Sequence, residues 1–180
     1  MCIMTHEFNV LRTNRAYLKA GMENKVEKLD RYDRILLRTL QANGRASNVE
    51  LSEQVNLSPP QCYRRVQRLE KDGIIRGYAA QVEPAAIGLG VVAFVNLNIA
   101  REQFKQVRKL EKAIRLFPEI LECYTISGDF DYLLKVAASD LKSLSAFLTD
   151  RLMQVPGVAG VRSMVCLEEI KPSSPLPLGD

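Results

Sequence analysis

The chain has 180 residues, 47% hydrophobic and 26% charged, with a formal net charge of +4, a balance that fits one or two small globular domains. No apolar run approaches the roughly 18 residues that a membrane span needs, and the opening MCIMTHEFNVLRTNR, with Glu7 and Arg12, lacks the apolar core of a secretory signal. A single histidine, His6, and four scattered cysteines (Cys2, Cys62, Cys123, Cys166) argue against a His/Cys metal site, a disulfide framework and His-based acid–base chemistry, and for buried free thiols in a reducing cytoplasm.

Residues 1–28 are read as an N-terminal extension, a disordered leader or arm. Its first 21 residues have no hydrophobic period, and Met22 is a natural start. Asp30 can cap a helix running to about Ala42, with Tyr32, Ile35, Leu36 and Leu40 inward and Asn43-Gly44 as its stop.

The stretch Ser47–Lys71, SNVELSEQVNLSPPQCYRRVQRLEK, predicts two short helices and a tight turn. Each helix opens with a capping box, Ser47 with Glu50 and Ser58 with Gln61, and Pro59 suits the first helical position. Asn56-Leu57 makes the turn, with Leu57 as a core plug. In the second helix Cys62, Val66 and Leu69 form an apolar stripe, while Gln61, Arg64, Arg65 and Arg68 form a cationic one. A basic helix face alone is usually just solvated. Joined to double capping and a Leu-centred turn, it is the pattern of a helix-turn-helix recognition helix on double-stranded DNA.

The expected contacts are Asn48, Ser58 and Pro60 at the helix starts, then Gln61, Arg64, Arg65 and Arg68. Gln suits adenine and Arg guanine; Arg65 and Arg68 can instead hold phosphates. After Asp72-Gly73, Ile74–Val82 predicts a short β-ribbon, the wing, whose tip Arg76-Gly77 can lie along a phosphate backbone or be a plain hairpin. The DNA-binding domain is thus 29–82, followed by a linker at 83–89. Residues 23–82 hold 11 Lys/Arg against 8 Asp/Glu, whereas 83–180 hold 11 against 12, so the excess of positive charge lies in the half that would meet phosphates.

Residues 90–171 change texture. Strand, helix (Glu102–Leu116), strand (Ile120–Ser127), tight turn, strand (Phe130–Ala137), helix (Asp140–Met153) and last strand (Val158–Glu169) follow in order. Helix-facing residues are Phe104, Val107, Leu110 and Ile114, then Leu141, Leu144, Leu148 and Leu152. This β-α-β-β-α-β order is ferredoxin-like, so the fold class is α+β: a winged helix-turn-helix followed by a ferredoxin-like domain. Two helices on one face leave the other bare. Val92, Phe94, Tyr124 and Ile126, or their alternates, then form an apolar patch that expects a second copy. The Pro-rich tail, 172–180, is read as loose.

SPPQCYRRVQRLEKDGII and SGDFDY stand in order within LDRYDRILLRTLQANGRASNVELSEQVNLSPPQCYRRVQRLEKDGIIRGYAAQVEP, ILECYTISGDFDYLLKV and VPGVAGVRSMVCLEEIK. Over about Leu29–Lys171 the chain resembles the leucine-responsive/AsnC (Lrp/AsnC) family of transcription regulators. The resemblance implies a C-terminal domain of the RAM/ACT-like kind that dimerises through its sheets. It further implies assembly of dimers, often to octamers, binding of small amino acids between dimers, and a cytoplasmic, nucleoid-associated regulator. Gln61 and Arg64 stand where members differ, so operator preference does not carry over.

On this reading the turn Thr125–Asp131 is the effector site. Gly128 lets backbone N–H groups approach a carboxylate. Thr125 and Ser127 offer hydroxyls, and Asp129 or Asp131 can hold the ammonium group. Ser-Gly-Asp is also what any tight turn contains. Met164 and Cys166 can add side-chain contacts or be simple core. A ligand-independent DNA-organising protein and an ACT-like regulatory subunit of an enzyme are the other readings. Without a nucleophile–base pair, phosphate loop or metal cluster, neither catalysis nor a cofactor is expected.

Overall fold

A computed structural model of the protein describes residues 29–100 and 107–179. The readings made for residues 1–28, and for the first turn of the helix from Glu102, lie outside the described residues. The chain divides into two units: one runs up to Ala80 and takes in the segment from Ser173, and the other is Gln81–Pro172.

The first unit is built on three helices: α1 (Arg31–Ala42), α2 (Asn48–Val55) and α3 (Pro59–Lys71). Asp30 and Asp33 form a reciprocal capping box at the start of α1, with Asp33 N–H donating to Asp30 Oδ1 at 2.9 Å and Asp30 N–H to Asp33 Oδ2 at 3.2 Å. Ser47 and Glu50 do the same for α2. Asn56 takes the left-handed conformation (φ 53°) that stops α2, so α3 can leave at an angle. Leu36, Leu51, Val55 and Cys62 are buried together, with Ile35, Leu40, Leu57 and Val66 packed around them. Leu57 is therefore the plug that the turn required. On α1 the inward residues are Asp33, Leu36 and Leu37, while Tyr32 is 40% exposed.

The expected β-ribbon over Ile74–Val82 is absent: the segment holds no strand. The N–H groups of Ile74 and Ile75 both donate to Leu69 O, at 2.9 and 3.1 Å, and Tyr78 Oη donates to Glu70 at 2.9 Å. The start of the would-be ribbon closes α3 instead of pairing.

The second unit is a four-stranded antiparallel sheet, in the order β2-β3-β1-β4. The strands are β1 (Val91–Ile99), β2 (Ile120–Thr125), β3 (Tyr132–Ala138) and β4 (Val158–Val165), with α4 (Val107–Leu116) and α5 (Leu141–Ala146). This is the ferredoxin-like connectivity. α5 continues as a wider π turn, Phe147–Leu152. Leu144, Phe147, Leu148 and Leu152 face the core, and Leu141, expected inward, is 61% exposed. Ala93, Val95, Leu97, Leu134 and Val136 supply the sheet side of that core.

The outer sheet face carries the alternates. Phe94 stands opposite Met164 on one side and Lys135 on the other. Val92, Phe94, Leu133, Tyr124 and Met164 share this face by register. Met164 is 46% exposed, so the reading of Met164 as core does not hold. Of the cysteines among the described residues only Cys62 is buried; Cys123 is exposed and Cys166 half-buried. No helix of the described residues is long and apolar enough to cross a membrane.

Candidate functional site

The recognition helix α3 presents Gln61, Arg64, Arg65 and Arg68 around one open depression with Leu57. The four side chains are not equivalent. Arg65 Nη1 donates to Asp30 Oδ2 at 2.7 Å and to Asp33 Oδ1 at 2.9 Å, and its guanidinium lies 5.3 Å from the centre of the Tyr32 ring. Arg68 pairs with the other Asp33 oxygen. Asp33 is fully buried, a placement that a carboxylate tolerates only with charged partners. Partial burial pushes Asp30 upward, but the Asp33 N–H and the Arg65 guanidinium outweigh it and hold Asp30 below its ordinary value. Burial lowers Arg65, but the hydrogen bonds that it donates to both acids outweigh this and hold it above its ordinary value.

Arg64, in contrast, is exposed and makes no ion pair with a described residue. Gln61 is exposed, yet its amide oxygen accepts from Ser58 N–H at 3.0 Å and from Ser58 Oγ at 2.9 Å. The Ser58 hydroxyl thus turns to the Gln61 side chain. Asn48 opens α2 half-buried, Ser58 and Pro60 are exposed at the start of α3, and Arg76 is exposed beyond its end. The sequence reading missed Asp33 altogether. Its signal was present: a carboxylate three residues after the capping Asp30, on the face of α1 that also carries Leu36 and Leu37.

In the second unit, Thr125 closes β2 and residues 126–131 turn the chain into β3. Gly128 has φ +125°, and a side chain placed there would meet open space, so ligand atoms can approach this backbone from outside. Thr125, Ser127, Gly128 and Asp129 are all exposed. Asp131 is half-buried and used within the fold. Its Oδ2 accepts from Ile99 N–H at 2.7 Å, its own N–H donates to Leu97 O at 3.1 Å, and its carbonyl accepts from Ile126 N–H at 3.1 Å. It clamps the turn to the end of β1. Met164 and Cys166 are not brought to this turn within the protomer. Met164 stands opposite Phe94, and Cys166 N–H donates to Val92 O. Both lie several residues back along β1 from Leu97 and Ile99, roughly 10–20 Å at the strand rise.

Residues 29–76 match the model of the winged helix-turn-helix DNA-binding family, and residues 92–176 that of the Lrp/AsnC ligand binding domain. A leucine-responsive regulatory protein of Serratia marcescens is 40% identical over 156 residues, spanning 87% of this chain and 95% of the relative. A transcriptional regulator of Neisseria meningitidis, solved as a complex with L-Met, superposes with a TM-score of 0.80 at 40% identity, over 83% of this chain and 97% of that one. A feast or famine regulatory protein of M. tuberculosis, complexed with L-methionine, superposes with a TM-score of 0.75 at 31% identity, over 80% and 95%. The chain belongs to the Lrp/AsnC family: it is a transcription regulator, not an enzyme, that joins a DNA-binding winged helix-turn-helix domain to an amino-acid-binding domain.

Proposed function

We propose that base reading rests on Arg64, with Gln61 recruited once it leaves its cap. The single observation that carries this is the commitment of Arg65 and Arg68 to Asp30 and Asp33 while Arg64 makes no ion pair among the described residues. An exposed guanidinium on a recognition helix can bond bidentately to guanine. Arg65 and Arg68 hold phosphates only by sharing their remaining N–H groups, and Asn48, Ser58, Pro60 and Arg76 flank the backbone. On this assignment residues 29–82 bind DNA, 83–89 link, and 90–171 bind effector and assemble.

The effector is an amino acid with an apolar side chain, of the leucine or methionine kind. Its carboxylate meets the backbone around Gly128 and the hydroxyls of Thr125 and Ser127, and its ammonium group meets Asp129. Asp131 positions the turn. Met164 and Cys166 reach a ligand only across an interface, from a second copy. Homodimers pair through the sheet face that holds Phe94, Tyr124 and Met164, and dimers assemble further, as an octamer that condenses on the nucleoid.

Thermal shift with each of the twenty amino acids, then operator binding with the hits, tests this reading. Leucine or methionine should raise Tm, because a ligand bound only by the native state stabilises it, and should change operator affinity about 5–150-fold. No shift with any amino acid would leave a DNA-organising protein without effector.

A further inference from the structure

The last residues of the chain belong to the DNA-binding unit. Leu176 N–H donates to Gln41 Oε1 at 2.6 Å, and Gln41 Nε2 donates back to Leu176 O at 3.2 Å, so one side-chain amide reads both backbone groups of one residue. Arg38 Nη2 donates to Leu178 O at 2.9 Å and to Gly179 O at 3.3 Å, and Arg34 Nη1 donates to Gly179 O at 3.3 Å. Gln41, Arg38 and Arg34 succeed one another up one face of α1, so the segment runs antiparallel to the helix. Leu176 and Leu178 meanwhile line a cleft of about 400 Å³ with Leu37, Leu40, Ile75 and Tyr78.

The sequence of the segment suits this seat. Pro175 and Pro177 have no N–H, fix φ and favour an extended chain without internal hydrogen bonds. The N–H that remains between them is that of Leu176, the one that Gln41 takes. Leu178, half-buried, and the more exposed Leu176 edge the cleft, and the Leu178 and Gly179 carbonyls meet arginines. Because Leu176 keeps 70% of its surface exposed, the seat is a detachable clasp and not a piece of core. α1 is also the helix whose first turn, through Asp30 and Asp33, holds Arg65 and Arg68 of the recognition helix.

We propose that the groove between α1 and Ile74–Tyr78 is a docking surface for an extended Leu-Pro-Leu-Gly peptide, that its occupant is the chain's own Ser173–Gly179 segment, and that this clasp steadies α1. Of the clasp, Ser173–Leu176 lie within the ligand binding domain match and residues 177–179 beyond it.

Hydrogen exchange on the full chain tests it. Ending the chain at Pro172, or introducing Leu176→Asp with Leu178→Asp, should speed exchange in the amides of 31–42 by about tenfold and leave β1 and β3 unchanged. Gln41→Ala should give a smaller change in the same direction. A synthetic KPSSPLPLGD peptide added to the shortened chain should restore protection, which a merely misfolded variant would not allow. Unchanged exchange of α1 in both the shortened chain and the double variant overturns the proposal. Protection of α1 that falls on dilution of the full chain assigns the seat to a second copy's segment and overturns the choice of occupant.

Discussion

Arg65 of the recognition helix and Asp33 of α1 are joined at 2.9 Å, with the carboxylate fully buried and the guanidinium about one-quarter exposed. Asp33 also caps α1 and takes Arg68. One side chain therefore ties the start of one helix to the middle of another, and it pairs with two of the three arginines of α3.

Asp33→Ala should accordingly lower stability by about 2 kcal/mol, less than the 3–5 kcal/mol typical of breaking a fully buried pair, because both arginines are partly wet. It should also release Arg68 toward phosphate, while Arg65 keeps its bond to Asp30. Non-specific DNA affinity then rises, and the dependence of log K on log salt steepens by about 0.9 for each phosphate newly neutralised. Denaturant unfolding and salt titrations on random-sequence duplex check both halves. Weaker stability with an unchanged salt slope would mean that the freed Arg68 finds no phosphate.

Arg64→Ala should weaken operator binding and relax base preference at one position, a loss of about 1–3 kcal/mol of discrimination, without changing Tm. Arg65→Ala should lower Tm and change specificity little. Binding-site selection with each variant separates them. An Arg64→Ala protein that selects the same operator as the parent with unaltered affinity would refute the assignment of base reading.

Acid should loosen the DNA-binding unit in a defined window. Asp30, whose burial is outweighed by the Asp33 N–H and Arg65, sits below its ordinary 3.8, and Glu50 sits below 4.5 because it accepts the Ser47 N–H. Groups depressed on folding contribute their full stabilisation above those ordinary values and lose it as pH falls through them toward the lower folded values. Tm should therefore decline below about pH 4.5, and Glu50→Gln should flatten the upper part of that decline. An identical pH profile for the variant would place the titration elsewhere.

The sheet face gives a further expectation. Phe94 and Met164 are opposed on adjacent strands, and Tyr124 is 54% exposed on the same face, the kind of apolar patch at which proteins associate. Phe94→Asp should shift the protein toward smaller species in sedimentation at micromolar concentration and leave the far-UV spectrum intact. An unaltered distribution would locate the self-association surface on another face.

How far these features could be read beforehand follows from their range along the chain. Local signals were legible: Ser47 with Glu50, Asn56 in its left-handed turn, and the alternation of Ala93, Val95 and Leu97 depend on neighbours a few residues away. Pairings over long separations were not. Nothing in YRRVQR says that Arg65 and Arg68 turn back to acids more than thirty residues earlier while Arg64 does not. The stripe Leu141, Leu144, Leu148 failed at its first member, which is the first residue of α5, and helical spacing does not say how far the first turn reaches into the core. The predicted ribbon after Gly73 failed because Leu69 O takes the N–H groups of both Ile74 and Ile75. For the candidate ligand turn, residue types pointed to Asp129 and Asp131 alike, and only the Ile99 N–H, across the sheet, tells them apart.

That distinction yields the last expectation. Asp131 ties the turn to the end of β1 through two hydrogen bonds, one by its side chain and one by its backbone N–H, and its carbonyl closes the turn on Ile126. Replacing it with Ala removes only the side-chain bond and leaves the Ile99 N–H without its acceptor in a half-buried place, at a cost of about 1–3 kcal/mol. Asp131→Ala should therefore lower Tm, and any loss of ligand affinity should follow from a loosened turn. Asp131→Asn keeps an acceptor oxygen and should recover most of both. Asp129 is exposed and removing its charge disturbs no bond described for the fold. Asp129→Ala should keep Tm within a few tenths of a kcal/mol of the parent while ligand affinity falls by about 1.5–3 kcal/mol, the worth of a hydrogen bond to a charged group. Operator binding without effector should stay near that of the parent in both variants, since neither residue lies in the helix-turn-helix. Calorimetry with methionine and with leucine on folded Asp129→Ala decides: parental affinity for both would remove Asp129 from the site and leave the ammonium group to be held by another residue.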